Sequence, residues 1–204
     1  GRTLARLGEE ETIWAATDVL RRWIEAYGVP LALYTDWKNV YVREPNAEEQ
    51  ATGAVPLTQF GRMCASLGIQ IIAASSPQAK GRIERLFHTF QDRVIKEMRL
   101  AGMATIEAAN RFLETYLPIY NRRFMVEPAQ AADLHRPSPA ARALDHILCL
   151  KTTRVVRRDW TVAHHGHLYQ VRSNVRATHV IVEDRVDGTM RITHHGQPLT
   201  YQAI

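Results

Sequence analysis

The chain has 204 residues, 46% of them apolar and 23% charged, and its 26 Lys and Arg against 21 Asp and Glu leave a net charge of +5. This is globular composition, which excludes a mainly disordered, collagen-like or membrane-embedded chain, and no apolar run approaches the roughly 20 residues that a bilayer crossing needs. The opening GRTLARLGEEE holds no apolar signal core, and two cysteines, Cys64 and Cys149, make no disulfide framework, so a reducing cytosol is the expected compartment.

Residues 2–7 are a short strand candidate with little pattern. From 10 to 27, Ile13, Ala16, Leu20, Ile24 and Tyr27 recur at helical steps, with Glu9–Glu11 suited to the positive N-terminal end and Gly28 then Pro30 as the stop. Residues 31–35 read as a buried strand ending at Asp36, and 42–56 as a polar, acidic loop. Residues 58–67 read as a helix with Phe60, Met63, Cys64 and Leu67 on one side, which makes Cys64 a core residue. A buried strand follows over 69–74. The run Ser75 to Gly81 reads as a turn before the strongest helix, in which Ile83, Phe87, Phe90, Val94, Met98 and Ala101 share a face and Gly102 is the stop. Thr105 is placed to cap a further helix that contains Pro118. Arg136-Pro137-Ser138-Pro139 is a linker signal, with a short helix expected around 140–150.

After Leu150 the period changes to two. Trp160/Val162, Tyr169/Val171, Val180/Val182 and Met190/Ile192 alternate with polar neighbours, and His165-Gly166, Asp187-Gly188 and His195-Gly196 mark turns. This predicts an antiparallel module of about five strands. The expected class is therefore α/β, with residues 1–102 as a mixed layer, 103–150 as a helical connector and linker, and 151–204 as a small all-β module.

Charge is unevenly spread. Residues 1–76 carry 7 basic and 9 acidic side chains, 77–150 carry 11 and 8, and 151–204 carry 8 and 4. A local basic excess is the footprint of a nucleic-acid partner, and also of an ordinary solvated face. Asp36 follows a strand, and Glu84 is expected in the first turn of the long helix. Two carboxylates at the strand ends of such a sheet can hold Mg²⁺, a hard cation that takes oxygen ligands. Singly, Asp36 fits a turn and Glu84 fits the helix dipole equally well.

The combination is more specific. Leu33-Tyr34-Thr35-Asp36, Thr58-Gln59-Phe60-Gly61-Arg62 and Ser76-Pro77-Gln78-Ala79-Lys80-Gly81-Arg82-Ile83-Glu84-Arg85 resemble the integrase-type core of DDE transposases. The continuation FHTFQDRVIKEMRLAGM, the segment Tyr120-Asn121-Arg122-Arg123 and the closing RVVRRDWTV and HLYQV resemble insertion-sequence transposases of the ISNCY type. The resemblance runs over essentially the whole chain.

It implies an RNase H-like core lacking its first strands, then a helical connector and a small SH3-like barrel. The implied activity is DNA 3′-end cleavage and strand transfer, with two Mg²⁺ or Mn²⁺ ions. Asp36 matches the second catalytic carboxylate and Glu84 the third. The first is expected upstream of Gly1, so the fragment alone is expected to be inactive. The alternative is a noncatalytic DNA-binding or assembly module; a plain RNase H-like nuclease is a third reading.

The implied partner is double-stranded DNA, both transposon ends and target, handled by a homo-multimer in a bacterial cytoplasm at the nucleoid, with no membrane. Lys80, Arg82, Arg85, His88 and Gln91 are expected to face DNA, His88 and Gln91 because they share the face of Glu84. Arg93, Lys96 and Arg99 extend the basic stripe, with local pairing to Asp92 and Glu97 as the other reading. Arg154, Arg157 and Arg158 are the expected contacts of the β module, where phosphate contacts give affinity without reading sequence. His164, His165, His167, His194 and His195 read as hairpin-turn residues in preference to zinc ligands, since no thiolate stands at suitable spacing.

Overall fold

The computed structural model describes residues 2–35, 40–41, 43–45, 47–52, 56–73, 77–127, 132–174 and 176–204. Within these it leaves out the side chains of residues 48, 77–80, 82 and 83. The chain divides into two compact units, residues 1–138 and 139–204.

The first unit is mixed α/β. Its helices are α1 (Ile13–Tyr27), α2 (Ala47–Thr52), α3 (Gln59–Ser66), α4 (Pro77–Leu100) and α5 (Ile106–Phe124); its strands are β1 (Ala32–Thr35) and β2 (Gln70–Ala73). Three threonines start helices by the same device. The hydroxyls of Thr12, Thr58 and Thr105 accept from the backbone N–H groups of Ala15, Gly61 and Ala108 at 3.1, 2.9 and 3.2 Å. Each satisfies one donor that a helix N-terminus leaves unpaired. Because Thr12 caps α1, Glu9–Glu11 lie ahead of the helix, and its first turn holds no acidic residue.

β1 and β2 pair in parallel, from Ala32 opposite Gln70 to Thr35 opposite Ala73. Leu20, Ile24, Val29, Phe60, Met63, Cys64, Leu67 and Ile69 are buried. A second cluster joins α4 to α5 through Val94, Leu113, Leu117 and Tyr120, with Ala5, Phe90, Met98, Tyr116 and Phe124 packed on it.

Two long-range ties close this unit. Val29 and Arg136 exchange backbone hydrogen bonds of 2.8 and 2.9 Å, and the Arg136 guanidinium donates to the Leu67 and Gly68 carbonyls at the end of α3 (2.6 and 3.0 Å). Gly28, at φ +92°, leaves room for this bridge: a Cβ there would run into the Arg136 carbonyl oxygen. The second tie replaces the strand expected over 2–7. That segment is extended but joins no sheet among the described residues. Asn121 accepts from Thr3 N and donates to Thr3 O (2.7 and 2.8 Å), and Asn110 does the same with Leu7 (2.9 Å each). Two α5 side chains thus take the role of a neighbouring strand.

Other expectations shift for local reasons. The 42–56 stretch contains α2. α4 starts at Pro77, within the expected turn, and carries Gly81 inside it. Proline fits a first helical turn because its missing N–H would be unpaired there anyway. Glu84 therefore sits about two turns into α4, beyond the first turn where the helix dipole acts.

The second unit has α6 (Ala141–Ile147) and seven strands where about five were expected: β3 (Cys149–Val155), β4 (Thr161–His164), β5 (His167–Val171), β6 (His179–Arg185), β7 (Met190–His194), β8 (Gln197–Leu199) and β9 (Tyr201–Ala203). They form two antiparallel sheets, ordered β3-β6-β7-β8 and β4-β5-β9. An isolated bridge between Val156 and Val162 joins them, without closure into one hydrogen-bonded barrel among the described residues. Val162, Val171, Val180, Val182 and Ile192 make the core. His165-Gly166 (φ 46° and 78°) and His195-Gly196 (48° and 78°) sit between the paired ends His164/His167 and His194/Gln197. Positive φ at both central residues makes these the tight hairpin turns that suit strand twist.

Candidate functional site

The parallel register of β1 and β2 sends Thr35 and Ala73 out of the same edge of the sheet. Asp36 is the next residue after β1 but lies outside the described residues, as do 74–76. Glu84 is exposed on α4, the helix that follows β2. Arg85, His88 and Gln91 are exposed on the same helix, with His88 and Gln91 one and two turns beyond Glu84 on its face. The backbone of Lys80 and Arg82 is helical, while their side chains are outside the description.

Farther along α4 the charges are shared out. Lys96 hydrogen-bonds Asp92, and Arg93 pairs with the same carboxylate at 3.3 Å. The Lys96 hydrogen bond, and then the positive charges of Lys96, Arg93 and His88, hold the Asp92 carboxyl below its ordinary range. This part of the stripe carries the local pairing that the sequence offered as an alternative. Such exposed pairs contribute little to stability.

Cys64 is fully buried, and burial pushes its thiol up to about 12. A thiol so far from ionisation is no nucleophile. Cys149 is buried too, its Sγ donating to the His146 carbonyl at 3.1 Å.

In the second unit Arg157 and Arg158 are exposed between β3 and β4. Arg154 is differently placed. Its Nε donates to His164 Nδ1 at 3.2 Å, while His164 Nε2 lies 2.9 Å from both oxygens of Asp184. His164 is a buried β4 residue, 3% exposed, and only His165 of the pair belongs to the turn. The ligand atoms of His164, His165 and Asp184 lie within 4.8 Å of one another, the spacing of a metal cluster. The donor pattern argues against that use. A guanidinium only donates, so His164 Nδ1 presents its lone pair and the ring proton sits on Nε2, facing Asp184. A metal at Nε2 needs the reverse tautomer, with a second-shell acceptor at Nδ1. The arrangement is a half-buried Arg–His–Asp relay tying β3, β4 and β6. The period-two pattern holds no sign of it, because its members lie 10 and 20 residues apart.

No family model matches the chain. In sequence it is similar to a Sinorhizobium fredii (strain NBRC 101917 / NGR234) protein named as a transposase, y4bF, at 33% identity over 203 residues, which is 97% of this chain and 44% of that protein. It is also similar to the transposase for insertion sequence IS1202 of Streptococcus pneumoniae, at 34% identity over 152 residues, which is 74% of this chain and 32% of that protein. The chain thus spans less than half the length of these two relatives. Among the described residues no helix is long and apolar enough to cross a membrane.

Proposed function

We propose that this chain, a homologue of insertion-sequence transposases, supplies the C-terminal part of a DDE transposase of the ISNCY type that cuts DNA 3′ ends and joins them to target DNA. The observation that carries this reading is the parallel β1–β2 register. It ends β1 at Thr35 and β2 at Ala73 on one edge of the sheet, with Asp36 next in sequence after β1 and α4, which carries Glu84, the next described element after β2. Ligands of open α/β sheets bind at such strand ends.

On this reading residues 1–102 are the later part of an RNase H-like core, 103–150 a connector, and 151–204 an SH3-like module. A groove of about 840 Å³ lined by Val19, Trp23, Leu33, Tyr34 and Phe87, beside a sheet with two described strands, is where further strands of the core pack. The first carboxylate of the resemblance comes from the remaining length of the parent, so on this reading residues 1–204 alone do not cleave DNA.

Asp36 and Glu84 offer the hard, charged oxygens that suit Mg²⁺ or Mn²⁺. A pair of such ions lowers the pKa of an attacking water and neutralises charge on the leaving oxygen of an in-line displacement. This chain's own part is to hold the two carboxylates at the sheet edge and to bring the α4 face with Arg85, His88 and Gln91 against the DNA end. Lys80 and Arg82 precede these residues on α4, and the exposed Arg157 and Arg158 give the second unit its contacts, Arg154 being bound instead to His164. The partners are transposon-end and target DNA and further copies of the protein, in the bacterial cytoplasm at the nucleoid.

The test is strand cleavage and transfer by the full-length parent on its own insertion-sequence ends with Mg²⁺ or Mn²⁺. Asp36→Asn and Glu84→Gln are each expected to lower both steps by about 10³-fold or more while DNA binding persists. Full activity in Glu84→Gln would overturn the assignment.

A further inference from the structure

The register of sheet β3-β6-β7-β8 divides its outer face into two halves. In one, Lys151, Glu183 and Arg191 lie side by side, and the buried Glu183 carboxylate pairs with His146 Nδ1 of α6 at 3.0 Å and with Lys151 Nζ at 3.4 Å. Two residues along, Thr153, Ile181 and Thr193 lie side by side, with Thr153 and Ile181 exposed. Here a groove of about 500 Å³ opens. Arg176, Thr178 and His179 complete it at the entry to β6, and His195 at the β7–β8 turn.

Among the described residues its lining contains no carboxylate. Arg176 can only donate, whereas the Thr193 hydroxyl already donates to the Ile181 carbonyl (3.4 Å) and the Thr178 hydroxyl is hydrogen-bonded to His179 Nδ1 (3.1 Å), so Arg176 is the one fixed cation of the described lining and the imidazoles add ring N–H groups. The four acidic side chains of 151–204 are engaged elsewhere. Asp159 and Asp187 accept from Thr161 and Thr189 in their own turns, Glu183 is paired beneath α6, and Asp184 faces His164. None of these four carboxylates lines the groove beside Arg176. The groove is also continuous with the exposed pair Arg157 and Arg158. Val155 lies opposite His179, and Val156 N donates to Thr178 O at 2.9 Å, so the β3–β4 turn borders the groove.

We propose that this groove holds the phosphodiester backbone of duplex DNA. Arg176 and His179 donate to phosphate oxygens, and Arg157 and Arg158 reach the neighbouring phosphates. Exposed Val155 and Ile181 offer apolar surface to deoxyribose. Contacts of this kind fix position along the duplex and read no bases. The inference rests on the DNA-handling reading above. It adds Arg176 and His179, and the groove between them, to the contacts of Arg157 and Arg158.

The test uses the whole 204-residue chain and a fluorescent duplex of mixed sequence, with affinity measured from about 50 to about 200 mM salt, where phosphate contacts dominate. Arg176→Ala with His179→Ala should weaken binding roughly tenfold and flatten the log–log salt slope by about 0.9 for each phosphate that is no longer neutralised. Thr153→Lys on the groove wall should tighten binding and steepen the slope by a similar amount, and it carries the test if the double variant does not fold. Wild-type binding that neither change alters would overturn the groove and leave the DNA reading standing. A wild-type chain that fails to bind at the lowest salt would remove that reading, and the groove with it.

Discussion

Residues 139–204 distribute seven strands over two sheets around a core of valines and one isoleucine, whereas residues 1–138 hold two described strands of four residues each, flanked by helices. The smaller unit is the one whose strands find most of their partners. In the larger unit, hydrogen bonding of extended chain falls partly to side chains, and apolar side chains such as Tyr34 (62% exposed) and Phe87 (59%) face an open groove. A two-stranded sheet is marginal alone. The first unit's stability therefore rests on helix packing and long-range ties, the second's on its sheet core.

The largest effect that tests this contrast is a cavity in the second core. Ile192 is 1% exposed. Ile192→Ala should cost about 2–5 kcal/mol, the transfer loss plus the void. In a domain this small that lowers the melting temperature by roughly 10 °C or more. Melting followed by the β signal should shift, while the helical signal of the first unit holds. An equal shift in both signals would break the comparison.

The next effect probes the first unit's substitute for a strand. Asn110→Ala removes both partners of Leu7 N and O. Leaving such groups unpaired costs about 1–3 kcal/mol where they are buried, less as water reaches them. Amide exchange at Thr3 and Leu7 should quicken more than exchange in α1. Unchanged exchange would mean that the segment is held by its side chains alone.

Those ties also mark where the sequence stops being informative. Local signals carry well: the apolar steps of α1, the Thr105 cap, the Gly28 and Gly102 stops and the two His-Gly hairpins all depend on neighbours within a few residues. Residues 2–7 do not, since Asn110 and Asn121 lie over 100 residues away. Pro77 reads as turn punctuation because its first-turn role looks the same from sequence. Two strands escape because β8 and β9 have three residues each, too few to show a period. Of the candidate site, the order strand–Asp36 and strand–helix–Glu84 is legible. The Arg–His–Asp relay and the Arg176 groove are not, since both arise from strand register.

Acid should separate the units by mechanism. In the second, hydrogen bonds from Thr161 and Thr189 hold Asp159 and Asp187 below the ordinary carboxylate range. In the first, Asp92 is held down mainly by Lys96. A depressed folded value stabilises above the unfolded value of about 3.9, and the benefit is lost as pH falls through the folded value. Both units should therefore melt lower below about pH 4. High salt should shrink the Asp92 part by screening and leave the Thr–Asp turns largely intact. Asp159→Asn should flatten the acid dependence of the β signal alone. A salt-sensitive acid loss in that signal would point to ion pairs.

The smallest effect on stability is the most telling about the open groove. Tyr34 sits on β1 with its side chain 62% exposed, so Tyr34→Ser removes little buried surface and should change stability by under about 0.5 kcal/mol. Its effect should appear instead in association. An unpaired strand edge beside exposed apolar side chains templates contact with other chains. The 204-residue chain should self-associate with rising concentration in sedimentation, and Tyr34→Ser should move that onset to higher concentration at unchanged melting temperature. If Tyr34→Ser instead costs several kcal/mol in dilute solution, the face is covered within the chain itself. The first unit is then as complete as the second, and the contrast between them fails.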